Sequence, residues 1–401
     1  MGMKKSIDLA ENLLLKTYNR YPVVFDHGDG INLYDTDGNE YLDFFSGIAV
    51  QGLGYNYKGL NEVLKKQADK LWHISNYFYN EPVSEAGQKL LELSGMEKVF
   101  FTNSGTEAIE GAIKIAKKYG KSTGGRNEII AMEGSFHGRS IGALSVTGNE
   151  HYREAFNPLL PGIKFAKYND IQSVKNLVTD KTCAIILETV QGEGGVYPAT
   201  KEFLNGIKEI ADKNNLILIL DEIQCGMGRT GKFFAWQEYD IKPDVMTVAK
   251  ALGNGVPIGA FLTAGKANDV LKPGDHGSTY GGNPLVCAVA SKVLDIFKED
   301  DIIENVKTVG TYLKDRLKEL AVSCPYIKEV RGRGLLLGVE FYIPVADIIK
   351  ASLTDEKMVL INAGNNVLRF VPPLIISKKD VDDAICRLKR VLKKVEEKGE
   401  K

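Results

Sequence analysis

Two short apolar runs, each ending in a charge, constrain this chain more than any other feature. Leu216-Ile-Leu-Ile-Leu220 closes on Asp221, and Asp244-Val-Met-Thr-Val-Ala249 closes on Lys250. Uninterrupted apolar runs of this length read as strands buried on both faces, as in a parallel sheet covered by helices. Such sheets bind ligands beyond the carboxyl ends of their strands, which is where both charges fall. The chain therefore reads as α/β, with Asp221 and Lys250 at the rim of one crevice. Charges at strand ends are also commonly solvated or salt-bridged, so the pair needs corroboration.

A third segment supplies it. Lys98-Val-Phe-Phe-Thr102 reads as a strand, followed by the small polar turn Asn103-Ser104-Gly105-Thr106. From Glu107 to Tyr119, Ala108, Ile109, Ala112, Ile113, Ile115 and Ala116 recur at helical spacing, with Gly120 as the expected terminator. A turn of this kind opening a helix presents unpaired N–H groups and a positive dipole end to an anion, although alone it is more often an ordinary N-cap. A lysine able to form a Schiff base, an aspartate able to protonate a pyridine nitrogen and a phosphate cradle are together what pyridoxal phosphate requires. Lysine suits the first role because its amine loses a proton when desolvated, which guanidinium does not.

With these residues in view, the sequence resembles the class-III pyridoxal-phosphate aminotransferases, and among them the branch acting on N²-acetylornithine. The resemblance runs through Gly38–Phe44, Ser46–Val50, Thr102–Ala108, Ser135–Arg139, Gln191–Gly194, Asp221–Gln224, Gly226–Gly231, Ala249-Lys250, Gly277–Pro284 and Arg369–Pro373, in the family's order. It implies a fold-type I transferase: a large domain (60–295) with a mostly parallel seven-stranded sheet covered by helices. A smaller α+β domain would be formed by 1–59 and 296–401.

The resemblance also implies roles. Lys250 would carry the cofactor and shuttle the proton. Asp221 would pair with the pyridine nitrogen, Gln224 contact the ring hydroxyl, Ile223 pack behind the ring and Phe136 stack on its other face, where a flat aromatic offers no competing polar atom. Ser104, Gly105 and Thr106 would hold the phosphate, joined by Thr279 from a second subunit, which implies a homodimer with shared active sites. Arg139 would take the substrate carboxylate far from the reacting amine, and Arg369 the α-carboxylate of glutamate or 2-oxoglutarate, since arginine's planar fork binds a carboxylate with two parallel bonds. Glu193 would cover Arg369 when no oxoacid is bound, Ser278 would join the substrate site, and His137 would support from behind Phe136. The implied reaction passes the terminal amine of N²-acetylornithine to 2-oxoglutarate, giving N-acetylglutamate 5-semialdehyde and glutamate in two ping-pong halves, a reversible step of arginine biosynthesis. Siblings acting on ornithine, succinylornithine, 4-aminobutyrate or a carrier-bound lysine are the alternatives, then an aminomutase, against which Arg369 and Glu193 both speak.

Two stretches depart from the family's pattern. The family's usual pattern is Asn-x-Leu-Gly-His-x-His-Pro where this chain has Gln51-Gly-Leu-Gly-Tyr55-Asn-Tyr57-Lys58, near the substrate entrance, and a Glu-Pro dipeptide is common where it has Glu188-Thr189. Neither touches a residue assigned to the cofactor.

Composition mainly excludes. With 401 residues, 44% hydrophobic, the chain can bury a full core in two lobes. A net charge of −1 leaves no electrostatic footprint for nucleic acid. The Lys/Glu run from Lys389 to Lys401 reads as a solvated terminal helix. No apolar run approaches the ~18 residues of a membrane span, and Asp8 and Glu11 interrupt any signal segment. Met1-Gly2-Met3-Lys4-Lys5-Ser6 fits the myristoylation pattern, but the second Met is more in keeping with a cloning scar. Five cysteines without paired spacing and five dispersed histidines speak for reduced thiols in the cytoplasm and against a metal site. Cys225, beside the site, reads as a small buried residue.

Gly226-Met-Gly-Arg-Thr-Gly231 matches the dinucleotide fingerprint literally, but Asp221–Cys225 separates it from its strand and Lys232–Tyr239 is too short and mixed for the required helix. Elsewhere, helices are expected over Leu60–Leu71, Val83–Leu93 and Leu285–Phe297. A turn is expected at Arg331–Gly334, a strand at Leu335–Phe341, and short strands around the Gly28–Gly30 and Asp37-Gly38 turns.

Overall fold

A seven-stranded sheet carries both charged strand ends. Edge to edge its strands are Lys98–Thr102, Gly259–Thr263, Val245–Val248, Ile217–Asp221, Thr182–Glu188, Glu128–Met132 and Ile163–Ala166. Only Gly259–Thr263 runs antiparallel to its neighbours, so the sheet is mostly parallel, as expected. The computed structural model describes residues 2–399; Met1 of the myristoylation pattern and the last two residues of the Lys389–Lys401 run lie outside them.

Strand pleating distributes the apolar runs between two cores. Leu218 and Leu220 join Ile185 and Leu187 in the core on one face. Ile217 and Ile219 join Ala184, Ile186 and the helix Gly105–Ser122 in the core on the other. That helix starts at the expected turn, its N-cap Ser104 accepting the Glu107 N–H through the side chain at 3.3 Å.

Gly120 does not end the helix, which continues to Ser122. A Cβ there would lie 2.4 Å from the Arg126 carbonyl oxygen and 2.5 Å from Cys183 Cβ. The glycine therefore permits close packing onto the sheet and does not serve as a cap. The expected turn at Arg331–Gly334 is also displaced. Ile327–Arg333 is a strand pairing antiparallel with Leu336–Phe341, so the reversal narrows to Gly334-Leu335.

The other expected helices form as Lys58–Ala68, Glu81–Ser94 and Pro284–Glu299, and the chain closes with the helix Lys378–Gly399. No α-helix stands between the Gly226–Gly231 turn and the next strand, Val245–Val248, only a short 3₁₀ turn, Ala235–Glu238.

Beside a two-stranded ribbon, Val190–Gln191 with Tyr197–Pro198, two four-stranded sheets complete the structure. Phe25–Asp29, Asn32–Asp35 and Glu40–Asp43 are joined by Met358–Val359, so N- and C-terminal segments share one sheet. Ile327–Arg333, Leu336–Phe341, Val367–Phe370 and Ile361–Asn362 form the other, which bears Arg369. The segment after Arg369 is held by the N-terminal loop: the Ser46 hydroxyl donates to the Val371 carbonyl at 2.5 Å, and the Leu374 N–H to the Gly52 carbonyl at 2.7 Å.

Candidate active site

Asp221 and Lys250 end adjacent parallel strands, with Asp221 in register with Thr247. Lys250 turns out of the sheet with φ at +49°, left-handed for a residue that carries a Cβ. Strain of this kind, on the order of 1–3 kcal/mol, persists where the surroundings over-determine a conformation, and it clusters at functional sites. Burial pushes the Lys250 amine down to about 8; Arg369 pushes the same way, while Glu193, Asp221 and Glu188 oppose it. An amine so poised is partly neutral, hence nucleophilic, near neutral pH.

Asp221 is buried and fixed at both oxygens. Oδ1 accepts the Ile223 N–H at 2.9 Å, and Oδ2 lies 2.7 Å from His137 Nδ1. An ionised carboxylate only accepts, so the proton in that contact belongs to Nδ1. Burial alone would push His137 down, but the Asp221 bond and charge, with Glu188, outweigh it and hold the imidazole above its ordinary value. His137 Nε2 is buried without a partner.

Around this pair lies a cavity of about 480 Å³. Ser104, Gly105 and Thr106 line one side at the start of their helix, where the first N–H groups have no intrahelical acceptor. A Cβ on Gly105 would come within 2.9 Å of Ile223 Cδ1, so glycine lets the turn close onto the Ile223 side chain, itself part of the lining. Phe136 and Arg139 enter from the turn after Glu128–Met132, and the exposed Arg139 guanidinium stacks 3.8 Å from the Tyr152 ring.

Arg369 is fully buried. Its Nη1 donates to Gln224 Oε1 at 3.0 Å and pairs with Glu193 Oε1 at 3.0 Å, while Nε and Nη2 have no partner. Those two unpartnered nitrogens form one edge of the guanidinium fork, the arrangement that receives a carboxylate with two parallel bonds.

Most of the sequence-derived residues thus meet at one cavity. Ser278, Thr279 and Arg369 are not among its lining residues; Arg369 lies behind Glu193 and Gln224, which are. The Ser278 hydroxyl accepts from Asn103 Nδ2 at 3.2 Å and from the Gly281 N–H at 2.9 Å, and Thr279 is exposed on the same loop. Among the described residues, no group of three His, Cys, Asp or Glu side chains is placed to hold a metal.

Residues 15–392 match the family Aminotransferase class-III. The chain belongs to the class-III aminotransferases. It is 47% identical to an acetylornithine aminotransferase of Clostridium acetobutylicum, over 94% of this chain and 98% of that protein. It is 43% identical to a succinylornithine transaminase of Yersinia pseudotuberculosis, over 94% and 93%. A solved ornithine aminotransferase of Toxoplasma gondii, described with pyridoxal phosphate partly occupying its active site, superposes with a TM-score of 0.95 at 33% identity, covering 100% of this chain and 96% of that one.

Pyridoxal 5'-phosphate is the cofactor of a class-III aminotransferase, and this cavity fits it. It has a desolvated amine, a buried acid fixed by histidine, an anion-accepting helix start and enough volume for a substituted pyridine. The reading of sequence undervalued Glu188, which ends Thr182–Glu188 in register with Asp221. Its carboxylate accepts the Phe136 N–H at 3.0 Å and the Gly192 N–H at 3.1 Å, and burial raises it to about 7, with His137 pulling the other way. The signal was there: the Glu188-Thr189 departure leaves the glutamate in place. Thr189, where relatives have proline, instead directs its hydroxyl at Glu222 Oε1, 3.4 Å away.

Proposed function

We propose that this aminotransferase moves the terminal amine of N²-acetylornithine to 2-oxoglutarate, forming N-acetylglutamate 5-semialdehyde and then glutamate. The single observation that carries the reading is Arg369: a buried guanidinium capped on one side by Glu193, with the nitrogens of one fork edge unpartnered. A site that must serve an amine with no carboxylate on its amine-bearing carbon, and then a dicarboxylate whose α-carboxylate adjoins the reacting carbon, needs a cation that can be covered and uncovered. A strand-borne, fully buried arginine beside a movable, partly exposed glutamate meets that need.

When bound, the cofactor supplies a carbonyl that condenses with the amine and a ring that accepts the electron pair of the cleaved C–H bond. The chain's own residues supply the rest. Lys250 Nζ anchors the cofactor and, once displaced, moves the proton, a role worth perhaps ~10²–10⁴-fold. Asp221, held by His137 and Ile223, keeps a fixed negative charge for the pyridine nitrogen. The N–H groups at Gly105 and Thr106 and the Ser104 and Thr106 hydroxyls take the phosphate. Phe136 and Ile223 flank the ring, and Gln224 is assigned its hydroxyl. Arg139 binds the distal carboxylate of either substrate, Ser278 is assigned to the substrate site from the loop beside it, bonded to Asn103, and Glu193 neutralises Arg369 while no second carboxylate is present.

Residues 60–295 serve as the cofactor-binding body, and 1–59 with 296–401 as the smaller one. A homodimer completes the site. Thr279 is exposed beside Tyr280, and Asn76 Nδ2 ties this loop, through the Ser278 carbonyl at 3.0 Å, to a segment exposing Trp72, Tyr77, Phe78 and Tyr79. Such an aromatic surface fits burial against a second copy, where Thr279 would reach the partner's phosphate. Five unpaired cysteines, four of them buried, support a cytoplasmic location. No helix among the described residues is long and apolar enough to cross a membrane.

The resemblance to a succinylornithine transaminase keeps that acyl-ornithine as the second reading. A single-turnover absorbance assay on cofactor-loaded protein separates them, offering N²-acetylornithine, N²-succinylornithine, ornithine and 4-aminobutyrate in turn. Fastest conversion with acetylornithine is expected. Faster conversion with another amine would move the substrate assignment to it.

A further inference from the structure

Two turns bring the substrate-facing groups to the cavity from different parts of the chain. One carries Phe136, His137 and Arg139; the other carries Gly192 and Glu193. They touch backbone to backbone, since a Cβ on Gly194 would lie 2.3 Å from the Gly134 carbonyl oxygen. Gln191 Nε2 donates across the junction to the Glu133 carbonyl at 2.8 Å. Glu188 spans the same junction from beneath: Oε1 takes the Phe136 N–H at 3.0 Å and Oε2 the Gly192 N–H at 3.1 Å. The residues next along the chain are His137, which holds Asp221, and Glu193, which holds Arg369.

We propose that Glu188 is a positioning residue that sets both substrate subsites at once, by tying the Phe136–Arg139 turn and the Gly192-Glu193 turn to a single carboxylate. The proposal rests on the two-substrate reading above. A carboxylate is required because each of its oxygens accepts one N–H. An amide has a single acceptor oxygen and would turn donor hydrogens towards the second N–H. A buried N–H left without an acceptor is costly, so one turn must move. Because Gln191 and the Gly134–Gly194 contact still couple the turns, displacement of one carries to the other. Both Glu188 oxygens are engaged by backbone N–H groups, so although the residue borders the cavity it acts through Phe136 and through Gly192-Glu193.

The test is Glu188→Gln in the cofactor-loaded enzyme, read in four ways: cofactor content and absorption spectrum, thermal midpoint, binding of glutarate by calorimetry, and KM and kcat for each half-reaction. Glutarate is an unreactive dicarboxylate that probes the arginines without chemistry. The expected result is retained cofactor with its absorption band, about ten-fold weaker glutarate binding, and KM raised about ten-fold for both N²-acetylornithine and 2-oxoglutarate, kcat falling less. An unchanged glutarate affinity, or a change confined to one substrate, would overturn the shared tie, as would a lower thermal midpoint with both KM values intact. If the variant does not hold the cofactor, Glu188→Asp keeps the charge but shortens the reach, and the same criteria decide. Wild-type protein that neither binds glutarate nor turns over either substrate would instead sink the reading on which this proposal depends.

Discussion

Replacing Arg369 by alanine should divide the two halves of the reaction, and the structure sets the size of the effect. The guanidinium is fully buried, its Nη1 engaged by Gln224 and Glu193 at 3.0 Å each, and the Nε and Nη2 of one edge unpartnered. A carboxylate seated on that edge gains two charge-assisted bonds of about 1.5–3 kcal/mol each, so roughly 3–6 kcal/mol is at stake for 2-oxoglutarate. Water entering the space left by the side chain recovers part of that, which favours the lower end. At 1.36 kcal/mol per factor of ten, kcat/KM for 2-oxoglutarate should fall roughly 10²-fold or more. N²-acetylornithine meets Arg369 only as a covered cation. Glu193, with 27% of its side chain exposed, can turn to water once its partner is gone, so the amine half should change far less than the oxoacid half. Rapid mixing of each loaded form with one substrate separates the halves. Equal loss in both would refute the assignment of Arg369 to the oxoacid.

Lys250→Ala should remove covalent attachment: borohydride fixes the cofactor to the peptide containing residue 250 in wild-type protein, and fixation surviving in the variant would reject that role. Glu222 has a pH signature. It accepts the Ala235 and Trp236 N–H groups at 2.8 and 3.0 Å, and burial raises it from 4.5 to about 7. The folded state therefore holds a proton that the unfolded chain releases, so this contribution is fully present below about 4.5 and lost as pH rises through about 7. Glu222→Gln should flatten the stability profile in that window, and an unaltered slope in denaturant titrations would count against it. Gly111→Ala would place a Cβ 2.2 Å from Phe261 Cε1; overpacking should cost about 1–3 kcal/mol, visible as a lower denaturation midpoint, and an unchanged midpoint would show that Phe261 yields freely.

Local pattern sufficed wherever one segment both forms an element and places a group on it. The run Ile217–Leu220 had to be a buried strand, and a strand has only one carboxyl end at which to set Asp221. The same holds for Lys250 and for Ser104 at its helix start. Local pattern misled at Gly120. Its meaning lies in Arg126 and Cys183, which approach from a neighbouring loop and strand, and no spacing rule within the helix can report a collision with another element. The Arg331–Gly334 turn failed for a similar reason: pairing with Leu336–Phe341 drew three of its four residues into a strand.

The same argument explains why the bonds of Glu188 and of the other buried supports stayed hidden, His137 being named only as a neighbour of Phe136, while the site itself was legible. Groups that meet a ligand sit at strand ends and helix starts, positions that period and punctuation mark. Groups that hold those positions bond across the fold. Glu188 reaches Phe136, Asp221 reaches His137, and Arg229, fully buried with burial lowering it to about 9, donates to the carbonyls of Leu335 and Pro372 beside the Arg369 strand. Tyr55, where relatives have histidine, follows suit: its hydroxyl donates at 2.7 Å to buried Asp43, which also accepts the Phe45 and Ser46 N–H groups at the start of the loop leading to Val50 in the cavity lining. The departure that looked like a change of substrate entrance therefore acts one layer beneath it. Tyr55 bears on selectivity only through the Phe45–Val50 loop, and Tyr55→Phe should cost stability, about 1–3 kcal/mol for a buried carboxylate losing a donor, while leaving the order of preferred amines unchanged. A reordered amine preference in Tyr55→Phe would instead place the tyrosine in the substrate path.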